Sequence, residues 1–113
     1  MIERVSFGSI TIDGETYTSD LVRFPDGRVV EPWWRSAGHR LSLDDITELV
    51  AAAPEAIVAG CGVSGMMKPE PGLSAALAER GIAFYAAPNK EAAKLFNGLC
   101  EVKKTAACFH LTC

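Results

Sequence analysis

No apolar run in this chain approaches the 18 or so residues that cross a bilayer. The opening Ile2-Glu3-Arg4 also lacks the long apolar core of a secretory leader. Neither a membrane role nor export is expected. Basic charge is scarce: 11 Lys and Arg against 14 Asp and Glu leave a formal net charge of -3. That is the wrong sign for generic nucleic-acid binding, which needs a basic footprint to release counterions. The four cysteines, Cys61, Cys100, Cys108 and Cys113, form no C-x-x-C pair and match no zinc ribbon or finger. Histidine is limited to His39 and His110. Cys108 and His110 would share a strand face, but no recognizable spacing supplies the two further ligands a metal would need. No metal and no cofactor are expected.

What is present describes one ordinary domain over residues 1–113. Apolar residues make up 49% of the chain and charged residues 22%. A chain of this length buries roughly 65% of its unfolded surface, enough for one core without staples. Reduced thiols in a cytoplasmic setting are therefore the simpler reading of the cysteines.

The first 35 residues read as β structure. Val5, Phe7, Ile10 and Ile12 are apolar with polar residues between them, and Asp13-Gly14 and Asp26-Gly27 are turn signals. Strands are expected over Tyr17–Phe24 and Arg28–Trp34, the latter bent or at an edge because of Pro32. Ser42, with Asp45 three residues on, opens a helix that Pro54 stops. The wholly apolar Ala56–Ala59 reads as a strand buried on both faces. A helix over Pro71–Arg80, a strand over Ile82–Ala86, a helix capped by Asn89 and a strand over Thr105–Thr112 complete the chain. The expected fold is α/β and layered. It has a mixed, mostly parallel central sheet with helices on its faces and an added N-terminal β-hairpin layer.

The most distinctive segment is Gly60-Cys61-Gly62-Val63-Ser64-Gly65. It satisfies G-x-G-x-x-G directly after a strand, as dinucleotide sites do. Two features oppose that use. Met66-Met67-Lys68-Pro69-Glu70-Pro71 delays the helix that should begin inside the motif. No carboxylate ends the Ile82–Ala86 strand to hold a ribose. Met66 and Met67 also stand where a P-loop requires Lys and Ser or Thr. Ser64 lacks the G-x-S-x-G elbow of a serine hydrolase. What remains is a strand-ending turn, or a site for an anion or small molecule built from Gly60, Cys61, Gly62, Ser64, Gly65 and Asn89 at the carboxyl edge of the sheet. Cys61 reads as a small residue filling the turn rather than an activated nucleophile.

Trp33-Trp34-Arg35 forms a second distinctive segment. Alternation turns one tryptophan inward and the other outward, where it either anchors an interface with Arg35 or covers the β layer.

Taken in order, Ile12-Asp13-Gly14, Trp34-Arg35 with Gly38-His39, Gly60-Cys61-Gly62, Ala92-Ala93 with Phe96-Asn97-Gly98-Leu99, and His110-Leu111-Thr112-Cys113 resemble the MTH-type domain family of unknown function over nearly the whole chain. The resemblance implies a layered α/β fold with an added β layer and no established enzymatic activity. Two family members, one of them mitochondrial, are linked to assembly or regulation. Threonine is common in that family where Cys61 stands and tyrosine where Phe96 stands; the first departure weakens Cys61 as a nucleophile. Mitochondrial targeting is not expected here, since no basic, Ser-rich leader is seen.

The leading expectation is a noncatalytic protein-interaction or assembly module. It would engage a protein partner or a second copy of itself through Trp33, Trp34, Arg35 and His39 or the sheet edge. The alternative is a small-molecule or anion-binding protein, possibly an enzyme, with its site at Gly60–Gly65 and the Asn89 loop.

Overall fold

A computed structural model describes residues 1–113. The N-terminal third forms β1 (Ile2–Ser6), β2 (Ser9–Ile12), β3 (Glu15–Tyr17), β4 (Leu21–Arg23) and β5 (Val29–Val30). Then come β6 (Arg40–Leu41), a short 3-10 turn over Leu43–Ile46, α1 (Thr47–Ala51), β7 (Ala56–Gly60) and β8 (Lys68–Pro69). The chain finishes with α2 (Leu73–Ala78), β9 (Ala83–Ala87), α3 (Asn89–Leu99) and β10 (Thr105–Phe109).

The central sheet has five strands in the order β5-β4-β10-β7-β9. Strands β10, β7 and β9 run parallel, and β4 and β5 pair antiparallel at one side. The sheet is thus mixed, with a parallel center. β1, β2 and β3 form a separate antiparallel sheet, the expected hairpin layer.

Strand periodicity sorts the side chains into two cores. Ile57, Ala59, Ala106 and Cys108 face one way and pack with Ile46 of the 3-10 turn, Leu49 of α1, and Leu73 and Leu77 of α2. Val58, Ala107 and Phe109 face the other way and pack with Ala92, Ala93 and Phe96 of α3 and with Ile2, Ile10 and Ile12 of the hairpin sheet. Both faces of β7 and β10 are covered, which is why β7 is wholly apolar and β10 is apolar after Thr105.

Several expected elements differ in extent or cap. Tyr17–Phe24 is not one strand: it divides at Thr18-Ser19-Asp20, with β3 in the hairpin sheet and β4 in the central sheet. The polar break lets the chain pass from one layer to the next. The Arg28–Trp34 strand shrinks to β5, because Pro32 has no N–H to continue a ladder. The final strand ends at Phe109, opposite Leu21, where β4 begins. Asn89 is the first helical residue of α3, with Pro88 at the cap position. Its side chain is buried and turned to another use. Ser42 stands at the cap of the 3-10 turn, and the Asp45 carboxylate accepts from Ser42 N and Oγ, each at 2.9 Å.

No helix is long and apolar enough to cross a membrane.

Candidate functional site

The carboxyl ends of β10, β7 and β9 lie together. There the turn after β7, the loop before α3, the break before β4 and the segment after β10 converge. Open α/β sheets place ligands at this edge.

The Gly-rich turn is packed from within. A Cβ on Gly60 would overlap the Phe109 ring and lie 2.7 Å from Asn89 Oδ1. Gly62 adopts φ +100°, and a Cβ there would overlap the Cys113 backbone. Both glycines therefore permit close approach by protein. The amides of the turn also have protein acceptors. Cys61 N donates to Ala87 O, Gly62 N to Asn89 Oδ1, Val63 N to Thr112 O, Gly65 N to Gly62 O and Met66 N to Cys113 O. An anion at the turn would have to compete with these bonds. The Val63 and Met66 bonds hold the segment after β10 in place.

Asn89 joins the two segments. Its Oδ1 accepts from Gly62 N at 2.9 Å, and its Nδ2 donates to His110 O at 2.8 Å. Cys61 is buried, and that burial pushes its thiol pKa up despite the nearby Lys68 and Arg35 charges. It packs as a small residue filling the turn. A shallow cavity of about 190 Å³ borders Cys61, Ser64, Gly65 and Lys68. A larger one of about 560 Å³ lies between the β1–β2 turn and the start of α3, lined by Phe7, Val63, Asn89 and Lys90 among others.

The aromatic segment behaves differently at each residue. Trp33 is only 8% exposed, and its indole Nε1 donates to Asp45 O at 3.0 Å. Trp34 is 82% exposed. The Arg35 side chain is 5% exposed, stacks 4.7 Å over the Trp33 ring and donates to Gly38 O at 2.8 Å. A groove of about 470 Å³ runs along Ser19, Asp20, Pro32, Trp34 and Arg35.

Asp20 links the two regions, and nothing in the sequence singled it out. Its Oδ1 accepts from Leu111 N at 2.8 Å. Its Oδ2 meets Arg35 Nη1 at 3.1 Å and His110 Nδ1 at 2.8 Å. The carboxyl is half-buried, which raises its pKa, but the hydrogen bonds from His110 and Leu111 and the Arg35 contact outweigh that and hold it below the usual range. An ionised carboxylate only accepts, so His110 Nδ1 carries the proton that it donates to Asp20. Arg35 Nη2, 3.0 Å from the same nitrogen, then donates to Gly38 O instead. In the neutral imidazole this leaves Nε2 as a bare acceptor, 3.3 Å from Thr112 Oγ1.

His39 completes the cluster. Its backbone oxygen accepts from Lys68 N at 2.9 Å beside the β6–β8 pairing, and its ring meets the His110 ring edge-on at 5.7 Å between centroids. The ligand-type atoms of His39, His110 and Cys113 lie within 4.8 Å of one another. Cys108, the sequence partner considered for His110, is instead enclosed in the core, where burial pushes its thiol pKa far up. The structure thus joins Gly60, Cys61, Gly62 and Asn89 through the packed turn, and Arg35 and His39 through His110. Trp34 and Ser64 point out to solvent.

The low Asp20 pKa has a stability consequence with a definite sign. A carboxylate whose folded pKa is depressed adds stability that is complete above its unfolded value, near 4, and is lost as pH falls through the lower folded value. Asp20→Asn should cost about 1.5–3 kcal/mol at pH 7, the range for hydrogen bonds to a charged group. That gap should shrink below about pH 4 in urea unfolding. A gap independent of pH would contradict the assignment.

A family model described as Protein of unknown function (DUF498/DUF598) matches residues 2–110. No curated protein matches the chain. Among solved structures, MT938 is 30% identical with a TM-score of 0.83, covering 100% of this chain and 98% of that one. The conserved hypothetical protein PH1505 of Pyrococcus horikoshii OT3 is 27% identical with a TM-score of 0.82, covering 100% and 99%. Xanthomonas campestris XCC1710 shares the fold at 22% identity and a TM-score of 0.78, covering 98% and 83%. With nearly its whole length matched by the family model and a like fold in these structures, the chain belongs to the DUF498/DUF598 family of proteins of unknown function.

Proposed function

We propose that this domain is a noncatalytic protein-interaction module whose contact surface is centered on Trp34. The observation that carries the reading is the contrast within one dipeptide. Trp33 is buried and hydrogen-bonded, while Trp34 is 82% exposed beside a groove of about 470 Å³. An exposed tryptophan held on a fixed support is an interface anchor, because it offers a large contact area with little conformational freedom to lose. The Arg35 stack on Trp33 and its bond to Asp20 provide that support. The resemblance to MTH-type domains, two of them linked to assembly or regulation, points the same way. The four unpaired thiols suit a reducing, cytoplasmic setting.

Trp34→Ala separates contact from stability. A protein enriched by the wild-type chain, then purified, should bind the variant about 30-fold more weakly, the effect of a 2 kcal/mol hot spot. Unfolding of the variant should stay within about 0.5 kcal/mol of wild type, as for other surface changes. Equal affinity for both chains would remove Trp34 from the contact.

One observation favors the small-molecule reading as a second possibility. The cavity of about 560 Å³ beside Asn89 is of ligand size and opens at the start of α3, where Lys90 adds positive charge. A thermal-shift panel of small anionic metabolites should then contain a stabilizing compound whose effect is lost in Lys90→Glu. If no compound stabilizes the chain, or the effect survives that change, the cavity is not such a site.

A further inference from the structure

We propose that His39, His110 and Cys113 form a binding site for Zn²⁺, with a fourth coordination position left to water or an exogenous donor. The site goes beyond the contact reading and does not depend on it, since Trp34 supplies no ligand.

The first argument is convergence. One imidazole comes from the loop before β6, one from the residue after β10, and the thiol from the segment beyond it. Their donor atoms fall within 4.8 Å of one another. Tetrahedral zinc bonds of about 2.0–2.3 Å place neighbouring donors about 3.3–3.6 Å apart. The remaining closure of at most about 1.5 Å is within reach of a side-chain rotation of exposed His39 and of Cys113.

The second argument is orientation. His110 donates Nδ1–H to the Asp20 carboxylate at 2.8 Å, which leaves Nε2, 3.3 Å from Thr112 Oγ1, as the proton-free nitrogen available to a metal. A carboxylate behind a histidine is the arrangement that fixes the tautomer of a zinc ligand and raises its basicity. Asp20 is itself fixed by Leu111 N and Arg35. The third argument is rigidity of the frame. Val63 N and Met66 N grip Thr112 O and Cys113 O, Asn89 Nδ2 grips His110 O, and Lys68 N grips His39 O.

Two imidazoles and a thiolate suit Zn²⁺, while Mg²⁺ and Ca²⁺ prefer oxygen donors that this set lacks. The thiol must lose its proton to bind, so uptake of each Zn²⁺ releases one proton from Cys113 to solvent.

The test is a Co²⁺ titration of the reduced, metal-free chain, followed by Zn²⁺ displacement. The expected result is one Co²⁺ per chain with thiolate-to-cobalt absorption that Zn²⁺ abolishes. Cys113→Ser should lose that absorption, and His39→Ala should weaken binding at least about 10-fold. Asp20→Asn should keep the absorption but lower affinity about 10–100-fold. Cys100→Ser, outside the cluster, should behave as wild type. Circular dichroism melts of each variant confirm folding, and His39→Ala changes only an exposed side chain. No saturable binding at one Co²⁺ per chain, or absorption that survives Cys113→Ser, would overturn the proposal.

Discussion

The Asp20 carboxylate is the point on which this edge of the molecule depends. It lies in the polar break between β3 and β4, where the chain passes from the hairpin sheet to the central sheet. Leu111 N, Arg35 and His110 all reach it, and its own backbone oxygen accepts from Trp33 N at 2.8 Å. Three distant segments, the β3–β4 break, the aromatic loop and the end of the chain, are thereby fastened to one another. The half-buried carboxylate keeps its charge because these donors replace the water it lost. Arg35, with its side chain enclosed, requires that charge in return.

The Gly-rich turn serves the same construction. Its glycines make room for Phe109, Asn89 and the Cys113 backbone, and its amides hold the segment that carries His110 and Cys113. Asn89 ties turn and segment together with bonds to Gly62 N and His110 O. A motif whose pattern matches a phosphate-binding loop is used here to seat protein on protein. The physical reason the pattern misleads is general: glycine permits close backbone approach, and the approaching group need not be a ligand.

The sheet core was legible because burial on both faces writes itself as a continuous apolar run, Ala56–Ala59, and because Gly60 and Gly81 mark chain reversals. The parallel pairing of β7 and β9 followed from the helix between them. The hairpin layer followed from the turn at Asp13-Gly14. Strand ends were less legible. Phe109 ends β10 because β4 starts opposite it, a property of the partner strand rather than of the His110–Thr112 sequence. The site was legible only in pieces. His39, Arg35, Asn89 and the turn stood out by residue type, but Asp20 is one acid among several in a polar stretch. The link from Asp20 to His110, and from His110 to His39 and Cys113, is made by tertiary pairing across most of the chain, which no local spacing encodes. The buried and exposed halves of Trp33-Trp34 could be expected from alternation, while which was which depended on Asp45 accepting the Trp33 indole N–H.

The central claim is that Asp20 fixes His110 with Nδ1 protonated and Nε2 free of a proton. Long-range proton–nitrogen NMR of the folded, metal-free chain at neutral pH reads this directly. The account predicts an Nδ1–H tautomer for His110 that loses its fixed state in Asp20→Asn. A His110 with its proton on Nε2, or one averaging between the two forms as a free imidazole does, would contradict it.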